Sequence, residues 1–223
     1  MFDSPIFEEI RSAVLAAAFL SGGERVLDLG AGSGFLSLAI APHVGEIVAV
    51  DISDAMLDRL QADAHDAGLV NVEVQVADLA VLNCPANSVD VIVSNYALHH
   101  LTDVDKSALV ARAHEWLRPG GRIIIADMMF GRGGTARDRQ ILREKIARLM
   151  CKGPGGVWRI VKNLVRFGLR RGTELPAPPQ FWTETLTAGG FQSVHYRPIA
   201  AEAGLVTATA MKINQRADGG QEG

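Results

Sequence analysis

Val26-Leu27-Asp28-Leu29-Gly30-Ala31-Gly32-Ser33-Gly34 is the stretch that decides the fold. Its first half is an apolar run broken by one acid, as in a strand buried on both faces, and its second half is a run of small residues suited to a tight turn. Residues 35–41 then follow a helical pattern, so the unit reads strand, glycine turn, helix. A glycine turn there lets a ligand approach the backbone and meet unpaired N–H groups at the helix N-terminus. Dinucleotide-binding chains use G-x-G-x-x-G, whose third glycine would fall on Phe35, so the spacing disfavours a nicotinamide cofactor.

Working outward, residues 47–50 read as a second buried strand ending at Asp51, and Ser53 can cap a helix over 54–67 that Gly68 stops. Residues 72–76 and 89–94 read as further strands, joined by a turn-rich link through Cys84-Pro85-Ala86-Asn87-Ser88. Thr102 with Asp105 makes a capping box for a helix over 103–117, and Pro119-Gly120-Gly121 predicts a turn before a strand at 123–126. Upstream, Ser4-Pro5 starts a helix whose stripe of Ile6, Ile10, Val14 and Ala17 continues as far as Leu20. Such alternation predicts a mostly parallel sheet with helices on both faces.

After Met129 the rhythm changes. Helices are expected over 135–150 and 157–171, the second basic and amphipathic through Arg159, Lys162, Arg166 and Arg170, and another over 181–188. Residues 194–199 and 205–213 would close the sheet as a hairpin. The expected architecture is therefore an α/β, Rossmann-like, doubly wound, mostly parallel seven-stranded sheet with a C-terminal antiparallel hairpin. It is read as a single domain, 1–223, with a basic helical lid insertion at about 131–180.

At 223 residues, 48% hydrophobic and 21% charged, the chain can bury one sizeable core, which disfavours disordered or fibrous classes. Its longest early apolar stretch, 13–20, is far short of a membrane span, and Glu8 and Glu9 precede it where a signal peptide carries positive charge; a cytoplasmic location is expected. Cys84 and Cys151 imply neither a disulfide framework nor a zinc site. The net charge of −3 hides an asymmetry: residues 1–129 carry 7 basic and 18 acidic side chains, residues 130–223 carry 15 and 7. Twelve of the basic residues fall between Arg132 and Arg171, against Asp138 and Glu144, giving a local cationic patch that is either a solvated helix surface or an anion-attracting one.

The quoted stretch, with Asp51, Ala77-Asp78-Leu79, Ser94-Asn95-Tyr96-Ala97-Leu98-His99-His100-Leu101 and Leu117-Arg118-Pro119-Gly120-Gly121 in that order, resembles the class I S-adenosylmethionine-dependent methyltransferases over roughly residues 23–129. The resemblance implies S-adenosylmethionine as cofactor and S-adenosylhomocysteine as product. It implies that Asp28 orients the methionine end, beside Gly30, Ala31, Gly32 and Ser33, and that Asp51 takes the ribose hydroxyls with Ile52 and Met56 nearby. Ala77, Asp78 and Leu79 would touch the adenine, Asp78 accepting from its exocyclic amine, and Asn95 would complete the set. Taken singly, Gly32 fits a tight turn, Asp51 a helix cap and Asp78 a surface acid; their order after three successive strands favours a shared site at the strands' carboxyl ends.

For catalysis, His99 or His100 is expected to remove a proton from an acceptor hydroxyl, with Asp127 or Tyr96 positioning it. The competing possibility is that His99 only packs the loop over the cofactor. The acceptor is expected to be a small molecule, methylated on oxygen. The basic insertion supports an alternative, a lipid-linked or anionic acceptor such as a phospholipid or quinone, with peripheral contact to an anionic membrane. A non-catalytic cofactor-binding protein is a further alternative. Nucleic acid is disfavoured, because the basic residues lack interleaved surface aromatics, the rest of the chain is acidic, and Ser94-Asn95-Tyr96-Ala97 does not match the N-P-P-Y-like signature of many nucleic-acid amino methylases. The sequence leaves the oligomeric state open.

Overall fold

The computed structural model describes residues 5–130, 139, 143, 175–199 and 202–211. The described strands form one seven-stranded sheet in the order β3-β2-β1-β4-β5-β7-β6. At its centre β1 (Arg25–Leu29) pairs in parallel with β2 (Glu46–Asp51) on one side and β4 (Val89–Asn95) on the other. β3 (Val72–Val76) extends the sheet beyond β2, and β5 (Leu117–Met128) beyond β4, both in parallel. The last two strands, β6 (Gln192–Pro198) and β7 (Ala203–Thr209), form the expected antiparallel hairpin, with β7 lying between β5 and β6. The strand order therefore reverses between β1 and β4, and ligands in open α/β sheets bind outside the carboxyl ends of the strands at such a switch point.

Strand periodicity divides the core into two layers. Leu27, Leu29, Ile92, Ile123 and Ile125 point to one face, where helices α4 (Asp103–Trp116) and α5 (Pro179–Ala188) bring Leu109, Trp116, Trp182 and Leu186. Val26, Val91, Val93 and Ile124 point to the other, where α1 (Pro5–Ala18) and α2 (Ser37–Ile40) supply Ile10, Val14 and Ile40. Helix α3 (Asp54–Asp66) seats Leu57 and Leu60 against Ala49 and Ala31. Thr102 caps α4 as expected, its hydroxyl accepting from the Asp105 N–H at 3.2 Å and donating to the Asp105 carboxylate at 2.6 Å.

Three local expectations are corrected. The helix over 35–41 is instead the four-residue α2 followed by a 3₁₀ turn, Ala41–His43, because Pro42 has no N–H to continue an α-helix and crowds the carbonyl four residues back. Ser53 stands at the N-cap of α3 without a side-chain bond; the Asp51 carboxylate accepts its N–H instead. Residues 117–121 belong to β5 rather than to a turn, with a register shift opposite Val89 and Val91. Gly121 permits this, since a Cβ there would stand 2.9 Å from the Asp90 carbonyl oxygen. The expected basic helices lie outside the described residues apart from Arg139 and Arg143. Among the described residues no helix is long and apolar enough to cross a membrane.

Ile124 sits fully buried on a central strand between two neighbours. Ile124→Ala is expected to lower stability by about 3 kcal/mol, through lost transfer energy plus the cavity left behind. Urea unfolding with an unchanged slope checks this.

Candidate active site

The quoted glycine turn leaves β1 and is held by the end of β2. Gly30 and Ala31 both donate to the Val50 carbonyl, at 2.8 and 2.9 Å, and Gly32 donates to Asp51 Oδ2 at 2.8 Å. Gly30 adopts φ +75°, and a Cβ on it would stand 2.1 Å from Ala97 Cβ, so the loop after β4 rests directly on the turn. Gly32, at φ +53°, is different: a Cβ there would meet nothing within 4 Å. The backbone at Gly32 therefore borders open space. A cleft of about 570 Å³ opens on the helix side of the turn, lined among others by Ser33, Gly34, Phe35 and Met56.

Three acids stand at this rim in unequal environments. Asp28 is buried below the turn, where the Ser37 hydroxyl donates to its Oδ2 at 2.6 Å. Burial drives its carboxyl up to about 7; the Ser37 hydrogen bonds oppose that rise and the charge of Asp51 adds to it. Asp51 is half-buried and gives one oxygen to Gly32 and the other, at 2.9 Å, to the N–H of Ser53. Each oxygen keeps a lone pair for a further donor. Asp78 is exposed, with Oδ1 accepting from the Ala80 N–H at 2.8 Å. Beside them Ile52 and Met56 are 70% and 49% exposed, an apolar rim next to the Asp51 carboxylate. Ala77 is tied to β2 by its N–H on the Asp51 carbonyl, and Leu79 is buried in the core near Gly30.

The loop after β4 carries the remaining candidates. Asn95 Oδ1 is buried with no hydrogen-bond partner among the described residues. Tyr96 takes a left-handed φ of +49°, a strained conformation for a bulky residue, and its N–H donates to the Ala126 carbonyl at 2.9 Å. Burial, with the charges of Glu202 and Asp127, pushes its phenol well above the ordinary range and keeps it protonated. His99, buried on a 3₁₀ turn (Leu98–His100), meets Asp127 at the end of β5: Nδ1 lies 2.6 Å from Oδ1, while the His99 N–H donates to Oδ2 at 3.0 Å. Of the two partners the sequence offered, Asp127 is the one hydrogen-bonded to a histidine; Tyr96 touches the His99 ring edge-on, centroids 6.2 Å apart. His100 is exposed, its ring 4.2 Å from that of His99.

Against known proteins, residues 26–121 match the family model of a methyltransferase domain. The uncharacterised methyltransferase YcgJ of Bacillus subtilis is 38% identical over 104 residues, 46% of this chain and 40% of that protein. Its crystal structure superposes with a TM-score of 0.66 at 18% identity, covering 92% of this chain and 99% of that one. Phosphoethanolamine N-methyltransferase 1 of Triticum aestivum is 33% identical over 132 residues, 58% of this chain and 26% of that protein. Residues 26–121 are thus similar to the methyltransferase-domain family, and the chain shares the fold of solved methyltransferases. In these alignments it spans less than half the length of either curated relative. A solved methyltransferase of the same fold, phosphoethanolamine N-methyltransferase 1 of Haemonchus contortus in complex with phosphoethanolamine and S-adenosylhomocysteine, has a TM-score of 0.66 at 16% identity, covering 95% of this chain and 44% of that one.

The fold thus gathers Gly30, Ala31, Gly32, Ser33, Asp51, Ile52, Met56 and Asn95 around the switch point, and sets His99 on the 3₁₀ turn after β4 against Asp127 near the end of β5. Several contributors escaped the sequence. Ser37 holds Asp28, Ser94 Oγ ties β4 to the Leu29 carbonyl at 2.8 Å, and the Leu175 N–H donates to the His99 carbonyl at 2.6 Å. The Ser37 pairing had one visible cue, a small hydroxyl in an otherwise apolar stripe; a partner 76 positions away from His99 had none.

The raised Asp28 pKa has a defined consequence for stability. The folded chain binds a proton that the unfolded chain, near the ordinary carboxyl value of 3.8, has already released. Stability therefore falls as pH rises from about 4 to about 7 and levels off above. Asp28→Asn is expected to remove that decline, by an amount of the order of 4 kcal/mol across the window. Urea unfolding of both proteins at stepped pH measures it.

Proposed function

We propose that the protein transfers a methyl group from S-adenosylmethionine to an oxygen nucleophile on a small-molecule acceptor, with His99 as the base and Asp127 as its orienter. The observation that carries this reading is the buried His99–Asp127 pair, 2.6 Å apart, at the same rim as the glycine turn. A carboxylate on Nδ1 accepts the Nδ1–H and leaves Nε2 with a free lone pair. That is the state a general base needs. Of the two histidines, His99 is assigned the proton transfer because Asp127 is paired with its ring.

The residues present fit the family's cofactor. Gly32 leaves space where a side chain would stand, and Asp51 has spare lone pairs for two ribose hydroxyls. Ile52 and Met56 offer an exposed apolar flank for a purine, and Asn95 Oδ1 is a buried acceptor suited to an ammonium. Asp28, held by Ser37, acts on the methionine end as a buried carboxyl that a cationic ligand would draw toward its ionised form; Ala31, Ser33, Ala77 and Leu79 contribute backbone and shape, and Asp78 an exposed acceptor. The cofactor supplies an activated methyl carbon on a positively charged sulfur. The three acids at the rim favour a cationic ligand, while the walls align the acceptor and exclude water. His99 Nε2 takes the acceptor's proton as the new C–O bond forms and the C–S bond breaks.

A second reading, an anionic acceptor such as a phosphorylated amine, draws on the twelve Lys and Arg between 132 and 171 and on relatives named for phosphoethanolamine. Both readings meet in one assay: S-adenosylhomocysteine release from S-adenosylmethionine with phenols, alcohols, phosphoethanolamine or anionic vesicles. Turnover of a hydroxyl compound supports the first, and turnover of phosphoethanolamine or vesicle lipid replaces it with the second. Calorimetry showing no binding of S-adenosylhomocysteine would overturn both. Asp51→Asn is expected to weaken that binding by about tenfold to a hundredfold, the value of a charged hydrogen-bond acceptor. His99→Asn is expected to lower kcat by about 10² to 10⁴ while leaving the calorimetric Kd unchanged.

A further inference from the structure

Lys106, in the first turns of α4, is fully buried. A lysine there is disfavoured three times over: its charge leaves water, its long side chain loses rotamer freedom, and it lies near the positive end of a helix. Its ammonium is nevertheless held from three sides. It donates to Asp103 Oδ1 at 2.9 Å and to the Leu175 carbonyl at 2.6 Å, and it stands 5.7 Å from the centre of the Phe181 ring on α5. Asp103 is well exposed, so the buried charge does not exist to satisfy a buried carboxylate. The partner that needs it is Leu175.

Leu175 in turn grips His99. Its N–H donates to the His99 carbonyl at 2.6 Å, so one residue carries the Lys106 bond on its C=O and the His99 bond on its N–H. His99 then has three of its four polar groups engaged: backbone N–H and Nδ1 by Asp127, backbone C=O by Leu175. Asp127 fixes the ring from β5 and Leu175 fixes the peptide from the opposite flank of the chain. We infer that Lys106 is a positioning residue for His99, acting through Leu175 to hold the imidazole in the orientation whose Nε2 is free for proton transfer. The consequence for catalysis rests on the reading of His99 as the base; the geometry of the clamp does not.

The bland alternative is a stabilising contact, and the two differ in what Lys106→Met changes. Methionine keeps the packing and removes the burial cost of the charge, so the change in unfolding midpoint is small. A positioning role is read on His99 itself. In long-range ¹H–¹⁵N spectra of the labelled full chain with S-adenosylhomocysteine, the wild type is expected to show His99 as a single Nδ1–H tautomer with a protected Leu175 amide. Lys106→Met is expected to give a mixture of tautomers, Leu175 exchange at least about tenfold faster, and an S-adenosylhomocysteine Kd within about twofold of wild type. Leu175→Pro, which removes the N–H that the His99 carbonyl accepts together with the leucine side chain, should reproduce the tautomer mixture and decides the matter if Lys106→Met does not fold. A single Nδ1–H tautomer persisting in the variants that fold overturns the inference. If the tautomer shifts while His99→Asn keeps full turnover, the positioning stands and the assignment of His99 as base falls.

Discussion

The site depends on where the backbone amides of the glycine turn find their acceptors. Three consecutive N–H groups, of Gly30, Ala31 and Gly32, are taken by the last two residues of β2, through the Val50 carbonyl and the Asp51 carboxylate. Buried donors must be paired, and pairing them across to a neighbouring strand makes the turn a splice between β1 and β2. β4 adds the third constraint, because Ala97 occupies the volume that any side chain on Gly30 would need. The carboxyl ends of three strands are thereby locked together before any ligand arrives. Preorganisation of this kind lowers the conformational cost of binding.

The electrostatics follow from that splice. Locking β1 against β2 brings the Asp51 charge close enough to add to the rise that burial imposes on the Asp28 carboxyl. With its carboxyl near 7, Asp28 is poised between its neutral and ionised forms at neutral pH. A cation at the rim favours the ionised form and a neutral ligand does not. The acids thus give the rim a bias toward a positively charged ligand that the glycine turn alone, with the N–H groups of Gly30, Ala31 and Gly32 already paired to β2, would not supply.

The sheet was legible because its determinants are local. Continuous apolar runs ending at Leu29, Val50 and Ser94 gave three parallel strands, and the Thr102–Asp105 box gave the start of α4. Where reading and structure part, a nearby residue overrode the pattern: Pro42 cut the helix after the glycine turn, and Gly121 let Pro119-Gly120-Gly121 be absorbed into β5. The candidate site divides in the same way. Asp51, Gly32 and Asp127 could be placed by their position at strand ends. What holds them could not, since Ser37 under Asp28 and Leu175 on the His99 carbonyl are fixed only when distant segments pack. Lys106 left no trace in the sequence, because a lysine at the first turns of an amphipathic helix reads as solvated.

The boundary of legibility is also a boundary of function. The methyltransferase-domain match covers residues 26–121, which contain the turn, Asp51, Asp78, Asn95 and His99. Asp127 lies beyond it, as does Leu175. On the proposed reading, the cradle for the adenosine end falls inside this shared segment, where β1, β2 and β3 deliver their ends to one rim. The hydrogen bonds that hold His99, the proposed base, come from outside that segment, from the end of β5 and from the segment leading into α5. His99 stands at the seam, with its ring and N–H held by Asp127 and its carbonyl by Leu175. A change beyond residue 121 can therefore alter how His99 is held while the glycine turn keeps its shape, which is the physical reason that a match confined to residues 26–121 bears on the proposed methyl donor and says so little about the acceptor.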